Sequence, residues 1–385
     1  MKILHLCLSC VYVDGYSYQE NELVAQNVRD GHDVVVIAST ETIGVDRQVV
    51  YVNPSEYLGT DNARVIRLPY RKIWPIKFRK KIRSYQGLYK QLVTEKPDLI
   101  LFHGLCAWEI LTVIKYKKNN SAVELLFDSH TDFTNSANSL VSRFFLHYLF
   151  YRSIVKLSIK HIKKVLCVSV SVMEFARDFY GIPEDKIEFF PLGGKIFDDA
   201  EYEVIRRKVR KELGVLDHDL VFIQTGKINS SKKIIESLIS FSTIRDCKLN
   251  SHFFIVGHLF EDVKHKVQNF IAKDPRIKFL GWRDPTELRG LLAAADVYVQ
   301  PGTQSATMQM SLCCRCLVVL DDVSSHVPFV TTNGWLVHTQ EDLAFAFNCI
   351  SKEAEEGLLG TRVCQSAKIA GDLLSYEKLA ARLYQ

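Results

Sequence analysis

Four short stretches of this sequence combine residue types that can do chemistry. Gly226-Lys227-Ile228-Asn229-Ser230-Ser231-Lys232-Lys233 follows the apolar run LVFIQT and precedes IIESLISF. A glycine admits close backbone approach, and lysines beside the positive end of a helix make an anion site suited to a diphosphate. A solvated, lysine-rich turn is the plainer account. Asp128-Ser129-His130-Thr131-Asp132 closes the run VELLF. A histidine between two carboxylates can orient a hydroxylated ligand or move a proton; Asp128 and Asp132 fit a helix cap equally well. Gly15-Tyr16-Ser17-Tyr18-Gln19-Glu20-Asn21 follows the first apolar run, and Pro301-Gly302-Thr303-Gln304-Ser305-Ala306-Thr307-Met308-Gln309 follows VYVQ. The latter loop enters a helix and offers free backbone N–H groups, with Gln304 and Gln309 as hydrogen-bonding side chains for sugar hydroxyls.

The elements that must carry these stretches are legible in the pattern. KILHLCLS, DVVVIAS, ARVIRL, LILFHG, VELLFDSH and VLCVSV are near-continuous apolar runs separated by helical patterns. Such runs indicate parallel strands covered on both faces. The pattern restarts after EYEVIRRKVRKELG with LVFIQTG, HFFIVG, IKFLG, VYVQPG and CLVVLDD. This predicts an α/β chain of two doubly wound units. The expected domains are 1–200, 201–365 and a terminal helical segment 366–385 that packs back on the first, with the seam near 195–215. Ligands of open α/β sheets bind beyond the carboxyl ends of the strands, and the polar loops lie at those ends. No G-x-G-x-x-G occurs, which argues against a nicotinamide or flavin enzyme.

Composition agrees with two ordinary globular domains. The chain has 385 residues, 47% hydrophobic and 24% charged, with a net charge of +5. Residues 1–200 hold 26 basic and 22 acidic side chains, and residues 201–385 hold 23 and 22. The excess gathers in RKIWPIKFRKKIR (71–83), which has seven basic side chains and no acid. With Ile73, Trp74, Ile76, Phe78 and Ile82 interleaved, it suits an anionic membrane surface; nucleic acid and a solvated helix are the alternatives. No apolar run approaches the ~20 residues that span a bilayer. SLVSRFFLHYLFYRSIVKLSI is broken by Arg143, His147 and Arg152 and reads as an amphipathic or buried helix. The ten cysteines lie largely in apolar segments, and no secretory leader pattern opens the chain. Free thiols in a reducing cytoplasm are expected, with no metal at Cys7-x-x-Cys10 or Cys313-Cys314-x-Cys316.

Taken in order, these pieces resemble the retaining glycosyltransferases of the GT-B fold, closest to glycosyltransferase family 4. The resemblance rests on Gly31-His32-Asp33-Val34-Val35-Val36, on Val168-Ser169 followed by Phe190-Pro191-Leu192-Gly193, and on Gly226-Lys227-x4-Lys232. Phe254-Ile255-Val256-Gly257, Phe279-Leu280-Gly281, Ala295-Asp296-Val297-Tyr298-Val299-Gln300-Pro301 and Asn333-Gly334 follow in family order. The resemblance implies two Rossmann-like domains facing a cleft, with a nucleotide sugar on the second and no cofactor or metal. UDP- or GDP-sugars are the first choices. It implies that Lys227 and Lys232 hold the diphosphate, with Lys232, His130 and Asp132 as the catalytic set. Gly15, Gly226, Gly257, Gln304, Ser305, Thr307 and Gln309 join them in donor binding. Tyr18, Gln19 and His103 are the expected acceptor contacts. The implied acceptor is a glycan, carried on a polyprenyl diphosphate as in bacterial O-antigen or capsule assembly. The first domain would meet the inner membrane leaflet through 71–83 and 143–164, and nucleic acid is not an expected partner. One departure stands out. The family carries two glutamates in the loop after the strand-ending Pro, whereas this loop is shorter and has none, and Arg315 replaces a small residue. A catalytically silent partner of the same fold and a nucleotide-sugar epimerase are the competing readings.

Overall fold

The computed structural model describes residues 1–384 apart from 45, 47, 74, 134, 135, 137–141, 245–248 and 304, and apart from the side chains of Ile76 and Lys77. Trp74 and Gln304 therefore lie outside the described residues. The chain divides into two compact units, Met1–Pro191 with Leu379–Gln385, and Leu192–Lys378.

Unit 1 is built on β1 (Lys2–Cys7), β2 (Asp33–Ser39), β3 (Glu41–Ile43), β4 (Val49–Tyr51), β5 (Glu56–Leu58), β6 (Arg64–Leu68), β7 (Leu99–His103), β8 (Glu124–Ser129), β9 (Lys164–Cys167) and β10 (Ile187–Phe189). Eight of them form one sheet in the order β10-β9-β8-β7-β1-β2-β6-β5, and β3 and β4 pair as a separate hairpin. Every pairing in the large sheet is parallel except β5 with β6. Its central strands are largely apolar because helices cover both faces, with His5, His103 and Asp128 as buried exceptions. Phe102 of β7 and Phe127 of β8 stack with ring centroids 5.0 Å apart in that core.

Unit 2 repeats the plan with β11 (Leu220–Ile228), β12 (Ser251–Leu259), β13 (Ile277–Gly281), β14 (Val297–Gln300), β15 (Leu317–Asp321) and β16 (Gly334–Val337). They form an all-parallel sheet in the order β13-β12-β11-β14-β15-β16. Phe222, Phe241, Phe253 and Phe347 anchor its core. In each sheet the strand order reverses beside the first strand, at β1/β7 and at β11/β14. These are the switch points where loops diverge and leave a ligand crevice.

The seam differs from expectation. It falls at Pro191/Leu192 rather than at 200/201, because the following segment is tied into unit 2, with the Gly194 amide donating to the Leu374 carbonyl at 2.9 Å. The charged stretch after it forms a helix, Asp199–Leu213, capped by Asp198 and ended by Gly214 at φ 69°. Arg206 and Arg210 on that helix reach Asp296 at 2.5 and 3.4 Å. Asp296 also accepts from the Val221 amide at 2.8 Å, which locks the helix to the amino ends of the central strands β11 and β14. Residues 366–378 stay with unit 2, and only 379–385 return to unit 1, where Arg382 bonds Glu188 and the Phe189 carbonyl.

Candidate active site

In unit 1 the chemistry gathers at the carboxyl ends of β1, β7 and β8. Gly104 follows β7 at φ +93°, and a Cβ there would stand 2.7 Å from Ser9 Oγ. The missing side chain lets the loops after β1 and β7 touch. Arg83, itself left-handed at φ 52°, adds a clamp from Nη1 to Ser9 Oγ at 2.8 Å and to the Cys106 carbonyl at 3.2 Å. Register places His103 opposite Asp128 on the neighbouring strand. Asp128 Oδ2 lies 2.5 Å from His103 Nδ1 and 3.8 Å from His130 Nε2, and Oδ1 accepts from the Gly104 amide at 2.8 Å. Burial alone would raise the Asp128 pKa. The charge and hydrogen bond of His103, then those of His130, outweigh it and hold the carboxyl well below its usual range. Desolvation works against charge on His130, but Asp128, with help from Glu20, raises its pKa.

The expected residues divide at this point. His130 is exposed at the rim and Asp132 is buried beside it, with Ser171 Oγ 3.5 Å from its Oδ2. His103 is turned into the interior. It is 3% exposed, and both ring nitrogens are engaged by Asp128 and His5, so it supports Asp128 from behind. Gln19 is likewise buried, with its amide 3.4 Å from the Pro191 carbonyl. Tyr18 is exposed at the start of the helix Gln19–Arg29, and Gly15 takes φ +76° beside Thr60.

In unit 2 the site gathers where β11, β12 and β14 end. Both β11 and β12 run past their glycines, so Lys227 lies in a strand, paired with His258, rather than in a turn. Gly226 and Gly257 face each other in register at φ +120° and +130°, and a Cβ on Gly257 would stand 2.0 Å from the Gly226 carbonyl oxygen. Only backbone fits there. The following turn, Ser230–Lys232, leads into the helix Ile234–Ser242. Gly302 lets the β14 loop press on this turn, since its Cβ would lie 2.2 Å from the Ser231 carbonyl oxygen. Lys232 is 8% exposed with Nζ 2.5 Å from the Thr303 carbonyl oxygen, and burial lowers its pKa. Its neighbour Lys233 takes φ 49° and pairs with Asp321 at 3.1 Å. The cluster of three lysines thus separates into a buried cation (Lys232), an exposed one (Lys227) and an ion-paired one (Lys233).

The glutamate-free loop is ordered by hydroxyls. Thr307 Oγ1 lies 2.8 Å from the hydroxyls of Thr225, Tyr298 and Ser305. Tyr298 also donates to Gln300 Oε1 at 2.7 Å, and Gln300 donates to the Thr303 carbonyl at 3.0 Å. Ser305 and Thr307, expected at the donor, are thus fixed by their neighbours. Gln309 is 9% exposed on the helix Thr307–Cys313, and its Oε1 has no hydrogen-bond partner among the described residues. This network went unseen in the sequence, although Tyr298 and Gln300 were its signal, two polar residues on one face of a buried strand. Among the described residues no group of three or more His, Cys, Asp or Glu could hold a metal ion, and the nine described cysteines are free.

Comparison with known families decides what this arrangement belongs to. Residues 20–193 match the profile described as Glycosyltransferase Family 4, and residues 219–352 match that of Glycosyl transferases group 1. The chain belongs to the GT-B glycosyltransferases of this family 4 type. No curated protein sequence matches it. Among solved structures, HepE of Anabaena in complex with UDP is similar over 100% of this chain and 98% of that one, with a TM-score of 0.65 at 15% identity. Sucrose-phosphate synthase of Thermosynechococcus elongatus gives the same coverage and TM-score at 14% identity. WaaG, a glycosyltransferase involved in lipopolysaccharide biosynthesis, covers 99% of each chain with a TM-score of 0.58 at 15% identity. These likenesses establish the fold of the glycosyltransferase.

Proposed function

We propose that the protein is a retaining glycosyltransferase that moves a sugar from a nucleoside-diphosphate sugar to a lipid-linked glycan of a bacterial surface polysaccharide. The buried Lys232 carries this reading. A partly desolvated ammonium held at a strand-to-helix turn, beside glycines that bare the backbone, suits a diphosphate. In the proposed reaction Lys232 offsets charge on the departing nucleoside diphosphate. The exposed Lys227 adds to the same field. His130 orients the transferred sugar, and the departing phosphate takes the proton of the acceptor hydroxyl. No metal or cofactor enters. Neighbours support the donor class, since HepE structures carry UDP and UDP-glucose. Calorimetry with UDP, GDP and dTDP, followed by turnover with their sugars, tests the reading. Binding of one nucleotide in the micromolar range is expected, and no binding of any would end it.

The silent-partner reading is kept by one observation, the glutamate-free loop whose Thr307 is bound to three other hydroxyls. Turnover after nucleotide binding separates the two.

The acceptor side of the proposal rests on exposed apolar side chains in two basic segments of unit 1. Ile73 is 76% exposed and Phe145 62%, with Phe78, Phe144, Tyr148, Leu149 and Leu157 also exposed. Arg152 covers the Tyr148 ring at 4.5 Å. Apolar side chains set among Lys and Arg fit an anionic leaflet. Among the described residues no helix is long and apolar enough to cross a membrane. Co-sedimentation with vesicles containing phosphatidylglycerol is expected. Phe144→Ser with Phe145→Ser should cut the bound fraction severalfold without changing nucleotide affinity.

A further inference from the structure

The hydrogen-bond chain behind His130 continues past Asp128. His103 Nε2 lies 3.0 Å from His5 Nδ1, and His5 Nε2 lies 2.8 Å from Asn27 Oδ1. Asn27 Nδ2 donates to the Tyr384 hydroxyl, which donates to Asp30 Oδ2 at 3.0 Å. His5 and Asn27 are fully buried and the two imidazoles stack 14° from parallel, so water does not compete along the middle of the chain.

Counting hydrogens orients every member. The Asp30 carboxylate only accepts, and Tyr384 has one hydrogen to give it. The Tyr384 oxygen must then accept from Asn27 Nδ2, which turns Asn27 Oδ1 toward His5. That oxygen only accepts, so His5 carries its hydrogen on Nε2. Burial, then the nearby charge of His103, pushes the His5 pKa down to about 3, so the ring is neutral and Nδ1 is a bare acceptor. His103 therefore donates from Nε2 to His5 and from Nδ1 to Asp128. The geometry calls for hydrogens on both its nitrogens, an imidazolium facing the Asp128 carboxylate.

We propose that Tyr384 is a positioning residue: through Asn27 and His5 it fixes the His103–Asp128 pair as cation and anion, and so sets the charge on His130. The link from His130 to sugar transfer rests on the function proposed above. Without the Tyr384 hydroxyl, Asn27 is free to turn its amide and donate to His5 Nε2. His5 then carries its hydrogen on Nδ1 and donates to His103, which becomes a neutral ring. Asp128 is left uncompensated 3.8 Å from His130, and His130 keeps its proton to higher pH. Other groups face these members. They are Glu20 of the helix Gln19–Arg29 and Asp132 near His130, the thiols of Cys7, Cys10 and Cys167 around Asp128, and His32 against Tyr384. Tyr384→Phe keeps the ring that His32 packs against.

The test is 15N NMR of the full chain labelled at histidine, compared with Tyr384→Phe. His103 is expected to show two protonated nitrogens in the wild-type chain near neutral pH and one in Y384F. The His130 titration midpoint should rise by about half a pH unit or more. In transfer assays the acidic limb of kcat/KM should move the same way while the plateau changes less than about twofold. Adding Asn27→Asp places before His5 an acceptor that cannot turn into a donor, and should restore the doubly protonated His103. A singly protonated His103 in the wild-type chain, or an unchanged His103 and His130 in Y384F, overturns the proposal even if stability falls. The NMR arm does not depend on turnover. Absence of transfer with every donor would instead reject the enzymatic reading.

Discussion

Lys232→Ala is expected to slow sugar transfer by about 10²–10³-fold, the usual cost of removing one preorganised group that meets developing charge. The same change should weaken nucleoside-diphosphate binding roughly tenfold or more, since a charge-assisted hydrogen bond contributes about 1.5–3 kcal/mol. Both losses follow from where the ammonium sits. It is 8% exposed and held by the Thr303 carbonyl, so little reorganisation precedes contact with the diphosphate. Lys227→Ala should cost less, because that side chain is exposed and its field is screened by solvent. The pH profile carries a second signature. Burial lowers the Lys232 pKa, so the alkaline limb of kcat/KM should fall at a lower pH than an ordinary lysine would give. Equal kinetics in wild type and K232A would remove the diphosphate from this turn.

Asp128→Asn should destabilise unit 1 by about 3–5 kcal/mol at neutral pH, the cost of stranding one member of a buried ion pair. Asp128 is 2% exposed, and its two oxygens accept from the Gly104 amide and from His103, with His130 nearby. For a unit of this size each kcal/mol shifts Tm by about 2–4 °C, so calorimetry should show a loss on the order of 10 °C. The pH dependence has a definite sign. The folded pKa of Asp128 is depressed, so its contribution is complete above the unfolded carboxylate range and is lost as pH falls through the folded value. Wild type and D128N should therefore converge only in strong acid. Convergence already near neutrality would mean that the carboxylate is not the charged partner inferred above.

Much of this was readable in the chain, and the limits are physical. Apolar runs such as LILFH and DVVVIAS announced β7 and β2, because strands covered on both faces have no polar side. The short β10 and β16 and the β3–β4 hairpin lack such runs and escaped notice. At the site, type and spacing marked Lys232 and His130. They could not show that Lys233 turns away through a left-handed backbone to meet Asp321. His103 looked like a ligand contact because it ends a strand. Only the register of β7 on β8 shows that it backs Asp128. His5, a lone polar residue inside KILHLC, was the visible trace of a network, and its own two partners, Asn27 and His103, lie 22 and 98 residues away in sequence.

The return of residues 379–385 to unit 1 makes unit 2 a guest inserted in a host. Its entry and exit lie side by side, where Gly194 bonds the Leu374 carbonyl and bridges to Ser375. A guest closed at its own base can be excised, so 192–378 is a natural span for separate expression. The host has the opposite property. On the ribosome its Glu188 and Asn27 wait for Arg382 and Tyr384 until the whole guest has been synthesised. Unit 1 is thus begun first and completed last, and its buried histidine chain receives its final hydrogen-bond partner only after all of unit 2 has been made.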